Sequence, residues 1–520
     1  MKINNQTTID TSHFWRELRP SLYMAGIFSF FINLMLIGPI LYMLQVFDRV
    51  LTSRSEPTLY MLTVAVGIAL VSMALVDMAR SRLLLVLGRR IDELLGERVL
   101  KNLVRYASSV SRGGYVHGLK DIATLRGFFT GNNVIALFDA PWLIFFILII
   151  FMFHPLMGVI ALVGSLILLL LAWVNEKSNR KEVERYQESS RRSGQFMDLG
   201  IRNADVLNSM GMTERFSARW KNANTETLDR MQVTSTRMGT ILSLSKFVRQ
   251  SIQVAMMGVG VYLVIHDNLS PGIMIAGTIL LGRAMAPVES LIGNWNGLVS
   301  ARSAYERLAR LFPAVFEDSQ RQQLPPPLGR IQVERAFLAG SDKDHPILRQ
   351  VDFDLPAGKS LAVLGPSGSG KSSLAKLIVG VWPLTSGHVR IDGAEIGHWD
   401  ENQLGPHIGY LPQDVELFPG TIAENIGRFD TTHGDAILKA AQAAHAYDLI
   451  LHLPEAFETR LGEGGIQLSA GQAQRIGLAR ALYGQPRIVV LDEPNANLDA
   501  EGEQALLQAL AELKAQGSTV

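Results

Sequence analysis

Gly365, Pro366, Ser367, Gly368, Ser369, Gly370, Lys371 and Ser372 satisfy every fixed position of the phosphate-binding pattern G-x-x-x-x-G-K-[ST]. Glycines at 365, 368 and 370 let the backbone turn so that successive N–H groups face phosphate oxygens. Lys371 would hold the β and γ phosphates of a nucleotide and Ser372 its Mg²⁺, chemistry that a flexible Gly/Ser surface loop has no need of. A second candidate is Asp492-Glu493, where one carboxylate can hold Mg²⁺ through water and the next can polarise an attacking water. A third is Leu468-Ser469-Ala470-Gly471-Gln472, which opens a helix with Ser469 as its N-cap and so offers N–H groups to a phosphate.

Three local elements must position these groups. Ser360 to Leu364 is a short apolar run suited to a buried strand, and Ser373 to Gly380 follows the loop with helical spacing that ends on glycine. Arg487 to Leu491 is an apolar strand that delivers Asp492 and Glu493 at its end. At 520 residues the chain exceeds what one core organises, so at least two domains are expected. Hydrophobic residues make up 48% and charged ones 19%, with the long uncharged runs confined to the first 300 positions, which points to a membrane-spanning half and a soluble half. The net charge is +1 with both signs interspersed, so no basic face argues for nucleic acid. With no cysteine, disulfides, thiolate metal sites and a cysteine nucleophile are excluded. The polar N-terminus lacks the pattern of a cleaved signal.

In the first half, Met24 to Met43 is uncharged and, at about 1.5 Å per residue, long enough to cross a ~30 Å hydrocarbon core. Leu59 to Val76 is a second such run. Arg80, Arg82, Arg89, Arg90 and Arg98 follow it, and Lys2, Arg16 and Arg19 precede the first, so both flanks read as cytoplasmic. Ala140 to Val174 is too long for one crossing, and His154-Pro155 supplies the break between spans three and four. Ser251 to Ile265 and Asn268 to Gly282 are short for spans, and buried core helices are the plain alternative. The turn at His266 to Gly272 and Arg302, Arg307 and Arg310 beyond it favour six spans in a lipid bilayer, with both termini cytoplasmic. Regions 79–132 and 176–236 are expected to extend the helices into the cytoplasm. Lys246, Arg249, Gln250 and Gln253 share one face of the helix entering span five, with Arg283 near span six. They would line a polar, positively charged entrance, or the two basic residues would snorkel to headgroups.

The second half resembles the ATP-binding-cassette family. Leu468 to Gln472 stands in the place of its signature and Asp492-Glu493 in that of its second acidic motif. The resemblance implies further roles. Gln413 in Tyr410-Leu-Pro-Gln-Asp414 would sense the γ-phosphate beside Mg²⁺, which Ser372, Gln413 and Asp492 would hold. Glu493 and Gln413 would be the catalytic pair. Gly365 to Ser373 with Ser469, Ala470, Gly471 and Gln472 would bind ATP, and Asn495 to Asp499 would cross a dimer interface. Phe418 to Ile426 and Thr459 to Gly465 are similar to exporter segments that touch the membrane half. In this family ATP lies between the phosphate loop of one subunit and the signature of the other, so a homodimer is implied.

The resemblance has its departures. Ala470 replaces the usual glycine of the signature, Phe337 is the nearest candidate to stack on adenine, and the family's switch histidine would lie beyond Val520, which implies truncation. The implied architecture is an α-helical six-span exporter domain fused to an α/β P-loop cassette. Its parts are a cytoplasmic tail 1–20, a transmembrane domain 21–315, a proline-rich linker 316–329 and the cassette 330–520.

Pro39 to Leu51, Asp139-Ala-Pro-Trp142 and Met210-Gly-Met212 resemble type I secretion ATPases, closest to the subgroup exporting proteases, lipases and haemophores. That implies an inner-membrane ATPase passing unfolded polypeptides with a C-terminal signal, together with a periplasmic adaptor and an outer-membrane channel. Without cysteine, the leader-cleaving peptidase domain of some relatives is not expected. Two other classes share the cassette. A lipid or small-molecule exporter would share the six spans and lack the membrane motifs, and a soluble ATPase acting on DNA or ribosomes would want a basic face.

Overall fold

A computed structural model describes residues 12–107, 118–267, 269–310, 324–340, 346–462, 464–498 and 500–520. Most of the expected linker 316–329, the first residues of the expected tail, Glu463 and Asp499 lie outside the described residues. The chain forms two compact units, residues 1–102 with 117–317, and residues 103–116 with 318–520.

The first unit is helical. Its principal helices are α1 (Ser12–Met35), α2 (Ile37–Gln45), α3 (Glu56–Ala107), α4 (Gly118–Thr130), α5 (Asn132–Asp139) and α6 (Trp142–Phe153). They continue with α7 (Pro155–Arg202), α8 (Thr213–His266), α9 (Pro271–Gly293) and α10 (Trp295–Ala309). Among the described residues five segments are long and apolar enough to cross a membrane, and α5 with α6, bent by 42°, makes a sixth if the bent pair is one span. On α3, Tyr60, Met61, Val64, Ile68, Val71 and Leu75 stand exposed as a lipid-compatible band. Breaks fall where chemistry puts them. His154 is extended at φ −162°, its Nδ1 accepts the Leu156 N–H at 3.1 Å, and Pro155 opens α7 where no N–H is needed. Ser270 caps α9 by accepting the Ile273 N–H at 3.2 Å, with Pro271 at its first position.

Four findings refine the reading of the membrane half. First, helix begins at Ser12 within the expected tail 1–20, and Phe14 and Leu18, one turn apart, are fully buried while the Trp15 indole N–H donates to the Tyr305 hydroxyl at 2.8 Å. Second, the short uncharged run of span five is the end of the long α8, where Arg249 pairs with Glu289 of α9 at 2.7 Å. That partner meets the charge that was expected to line an entrance. Lys246 and Gln250 are exposed and Gln253 is half-buried. Third, Asp48 sits in a π-helical turn, Val46–Val50, and binds the start of α9, accepting from the Ser270 hydroxyl at 2.6 Å and the Gly272 N–H at 2.7 Å. A Cβ at Gly272 would overlap that carboxylate.

The fourth is a buried polar cluster. Arg80, 5% exposed, donates to the Ser29 hydroxyl at 2.8 Å and to Asp77 at 2.6 Å, and lies 3.5 Å from Asp139. Asn33 completes the set by donating to Asp139 at 2.8 Å. The arginine expected to flank the membrane thus joins α1, α3 and the α5–α6 bend.

The second unit is α/β. Strand β1 (Ile331–Leu338) pairs antiparallel with β2 (Leu348–Leu355) and β3 (Ser386–Ile391), and β3 with β4 (Ala394–Glu395). Strand β5 (Ile408–Leu411) runs parallel to β8 (Ile488–Leu491), while β6 (Gly420–Thr421) and β7 (Arg460–Leu461) form a short antiparallel pair. Helix α11 (Lys371–Ile378) packs Leu374, Leu377 and Ile378 against Ile331, Val389, Ile391 and Ile488. A second core gathers around α12 (Ala470–Leu482), with Ile476 and Ala479 among Ile422, Ile426, Ile437 and Ile450.

One expected strand is absent. Ser360 to Leu364 belongs to none, and Leu361, Val363 and Leu364 are 42%, 46% and 91% exposed rather than buried. The segment meets residues 519–520 only through the Leu361 N–H to the Val520 carbonyl at 2.9 Å and the Val520 N–H to the Lys359 carbonyl at 3.1 Å. Among the described residues no strand pairs with Val363 or Leu364.

The polar cluster makes the first prediction. Arg80→Leu leaves the mostly buried Asp139 without its cation and should destabilise the chain by about 3 kcal/mol. The apparent unfolding temperature of the detergent-solubilised protein should fall, and Arg80→Leu/Asp139→Asn should recover part of the loss.

Candidate nucleotide site

Gln413 and the two acids come together through one short pairing. Strands β5 and β8 align Ile408 to Leu411 with Ile488 to Leu491, and the Asp492 N–H donates to the Leu411 carbonyl at 2.9 Å as the ladder's last rung. Residues just past both strand ends therefore emerge side by side. The Gln413 side-chain N–H donates to the Glu493 carboxylate at 3.1 Å. Asp492, 5% exposed, accepts from the Ser372 hydroxyl at 3.1 Å, joining the strand end to the first turn of α11. Tyr410, on β5, is near enough for burial and then the Asp492 charge to push its hydroxyl up to about 12, so it stays neutral.

The loop itself turns as its glycines require. Gly368 has φ +81° and Gly370 φ +94°, and a Cβ at Gly370 would lie 2.8 Å from Leu348 and 3.0 Å from the Ile347 carbonyl. The Ser369 N–H closes the turn onto the Pro366 carbonyl at 3.2 Å, and Gly365 lies where an added Cβ would come 2.8 Å from the Ser369 hydroxyl. The Lys371 ammonium donates to the Gly365 and Pro366 carbonyls at 2.8 and 3.1 Å. Ser373 lies beside Ser372 in the first turn of α11, and Ser367 lies within the loop. An ammonium held at the loop mouth, a helix start and a Ser hydroxyl against a buried carboxylate form a donor set that fits Mg²⁺ and the phosphates of ATP.

The signature is built as a capping box. The Ser469 hydroxyl accepts the Gln472 N–H at 3.3 Å while the Gln472 side chain accepts the Ser469 N–H at 3.0 Å. Ala470 and Gly471 fill the first turn between them, and a Cβ on Gly471 would come 2.8 Å from the Asn497 carbonyl. At the other end of α12, the Arg428 guanidinium donates to the Arg480 and Gly405 carbonyls at 3.1 and 2.9 Å. Among the described residues no hydrogen bond joins the Ser469–Gln472 turn to the phosphate loop, while Asp492-Glu493 is tied to the loop by the Ser372–Asp492 bond.

Further residues locate what the sequence left open. Phe337 is half-buried in β1 opposite Ser386. Phe418, 49% exposed, stands on a turn fixed by Asn425, whose side chain bonds the Phe418 N–H at 2.8 Å and its carbonyl at 2.9 Å. The exporter-like segment after it carries its own capping box, Thr421 with Glu424. Sequence reasoning missed Gln474, which lies on α12, is 1% exposed, and donates to the Pro494 carbonyl at 2.5 Å. The signal available in the sequence was a glutamine one turn before the apolar Leu478 on the same helical face.

Both halves of the chain match family models. Residues 348–496 match the ABC transporter family model and residues 22–288 the ABC transporter transmembrane region. The chain is 43% identical to the type I secretion system ATP-binding protein PrsD of Rhizobium meliloti, over 97% of this chain and 87% of the relative. The cyclolysin secretion/processing ATP-binding protein CyaB of Bordetella pertussis is 27% identical, over 92% of this chain and 68% of its own. The leukotoxin translocation ATP-binding protein LktB of Mannheimia haemolytica is 28% identical, over 95% and 70%. A solved bacterial Atm1-family ABC exporter with ATP bound superposes with a TM-score of 0.78 at 21% identity, covering 96% of this chain and 91% of that one. With a helical transmembrane region fused to an ATP-hydrolysing cassette, this multi-pass membrane chain belongs to the ABC exporters, among relatives of the type I secretion ATP-binding proteins.

Proposed function

We propose that this chain couples ATP hydrolysis to export of unfolded polypeptide with a C-terminal signal across the inner membrane, as the ABC component of a type I secretion system. The observation that carries this is 43% identity over 97% of the chain to a type I secretion ATP-binding protein, which extends through both halves. In this reading the periplasmic adaptor and outer-membrane channel are its partners, and both termini are cytoplasmic.

The chemistry follows from the site. Lys371 turns from the Gly365 and Pro366 carbonyls to the β and γ phosphates, so binding exchanges intraloop bonds for charge-assisted ones. Mg²⁺, held by Ser372, Asp492 and Gln413, would supply neutralisation of charge on the transferring phosphoryl group. Glu493 accepts a hydrogen bond from the attacking water, and Gln413, bonded to it at 3.1 Å, fixes where that carboxylate points. Ser469, Ala470, Gly471 and Gln472 act on the nucleotide of the opposite subunit. That assignment is supported by the lack of any hydrogen bond between the signature turn and its own phosphate loop among the described residues.

Function is tested with the full chain in lipid nanodiscs. A peptide carrying the C-terminal signal of a secreted protein should bind and alter ATPase activity, whereas radiolabelled lipid should not compete. Competition by lipid with no effect of the peptide would favour a lipid exporter instead.

The residue roles give two sharper predictions. Glu493→Gln should keep ATP affinity and slow hydrolysis by about 10²-fold or more, while Lys371→Ala should weaken binding itself. ATPase activity near wild type in Glu493→Gln would remove it from the water-polarising role. In mixed dimers with Lys371→Ala in one subunit and Ser469→Arg in the other, both defects should fall on one composite site, leaving one nucleotide trapped per dimer. Loss of both trapped nucleotides would contradict the head-to-tail arrangement.

A further inference from the structure

Gln474 is 1% exposed, and its side chain reaches away from its own helix. Its amide nitrogen donates to the Pro494 carbonyl at 2.5 Å and, more loosely, to the Glu493 carbonyl at 3.5 Å. Both partners are acceptors, so the NH₂ end must face them and the orientation of the amide is settled. The other end, Oε1, is buried with no hydrogen-bond partner. A leucine of similar size would carry no such unpaired group, so packing alone does not account for a glutamine here.

What it holds is a strained point. Glu493 has φ +48°, in the left-handed region that a non-glycine side chain occupies only when its surroundings impose it. The Ala496 N–H turns back onto the Glu493 carbonyl at 3.1 Å, and the same loop approaches α12 at Gly471, where only a missing Cβ allows the Asn497 carbonyl so close. The first two turns of the signature helix therefore grip the backbone directly behind the carboxylate, one turn after the Ser469–Gln472 cap.

We propose that Gln474 is a positioning residue for ATP hydrolysis. It ties the signature helix, which meets the nucleotide of the opposite subunit, to the backbone of Glu493, which serves the chain's own nucleotide. The tie gives the two composite sites of a dimer a mechanical link, since a shift of α12 on engaging one nucleotide is carried to the carboxylate acting on the other. This rests on the reading that Glu493 polarises the attacking water.

The test uses the full chain in nanodiscs, with ATP as the probe. Gln474→Ala should lower kcat at least about tenfold, because a small misplacement of a positioned group costs rate rather than affinity, and leave ATP binding within about twofold. Gln474→Glu should be as slow near neutral pH, where a carboxylate would face two carbonyl oxygens. It should recover on acidification, where a protonated carboxyl can donate to them, a pH response that wild type and Gln474→Ala lack. Glu493→Gln is measured alongside. If it is inactive while Gln474→Ala turns over within about twofold of wild type, the positioning role is overturned and the reading of Glu493 stands. If Glu493→Gln itself turns over normally, the reading of Glu493 fails and takes this inference with it. Loss of ATP affinity in Gln474→Ala, with no acid recovery in Gln474→Glu, would assign Gln474 to structure and overturn the proposal.

Discussion

A parallel pairing four residues deep, Ile408–Leu411 on Ile488–Leu491, sets the spacing of Gln413, Asp492 and Glu493. Parallel strands deliver their C-terminal ends to the same edge, and the residues after them leave from neighbouring points. Gln413 and Glu493 arrive within a hydrogen bond for that reason, and Asp492 is buried deeply enough to meet Ser372 from a different element. Side chains alone would not hold this arrangement. Gln413 and Glu493 are both exposed enough to rotate, and the backbone rung from the Asp492 N–H to the Leu411 carbonyl is what limits how far their origins can separate.

A different constraint governs the membrane unit. Lipid offers no partner to a charge or to a free backbone group, so each interruption of a helix and each intramembrane charge must be answered from within the chain. His154 answers the break before α7 with its own ring nitrogen, and Ser270 with Asp48 answers the start of α9. Arg80 is answered by Asp77, Ser29 and Asp139, and Arg249 by Glu289. The acidic partner at the α5–α6 bend belongs to the Asp139-Ala-Pro-Trp142 stretch. A motif that stands out by its resemblance therefore also has a physical role, because its carboxylate takes a cation where the Pro141 turn breaks the helix.

Much of this was legible in the sequence, and what was not has a common cause. The phosphate loop, the acids, the signature and the helix breaks are local patterns whose backbone demands show in residue type: glycine at positive φ, proline at N1, serine at an N-cap. Pairings across distant segments leave no such trace. Glu289 is an ordinary acid until α9 folds against α8, and Asp48 an ordinary loop acid until Gly272 lies on it. The run Ser360 to Leu364 shows the opposite failure. Apolar composition specifies a wish to be covered, while a strand is defined by its pairing, which among the described residues this run does not show beyond Leu361.

The signature turn shows how little separates a structural cap from a ligand site. A helix leaves its first N–H groups without intrahelical partners, and Ser469 with Gln472 satisfies two of them reciprocally. Those of Ala470 and Gly471 lie between, at the positive end of a 13-residue helix. A fully uncapped start would bind water or any anion. A start capped at both flanks narrows the approach to the middle of the turn, where Gly471 has no room for a side chain because Asn497 is behind it. Ala470 in place of glycine adds one methyl beside that approach and removes no donor. In the proposed reading, phosphate recognition by this turn would therefore rest on the peptide groups rather than on the side chain at 470.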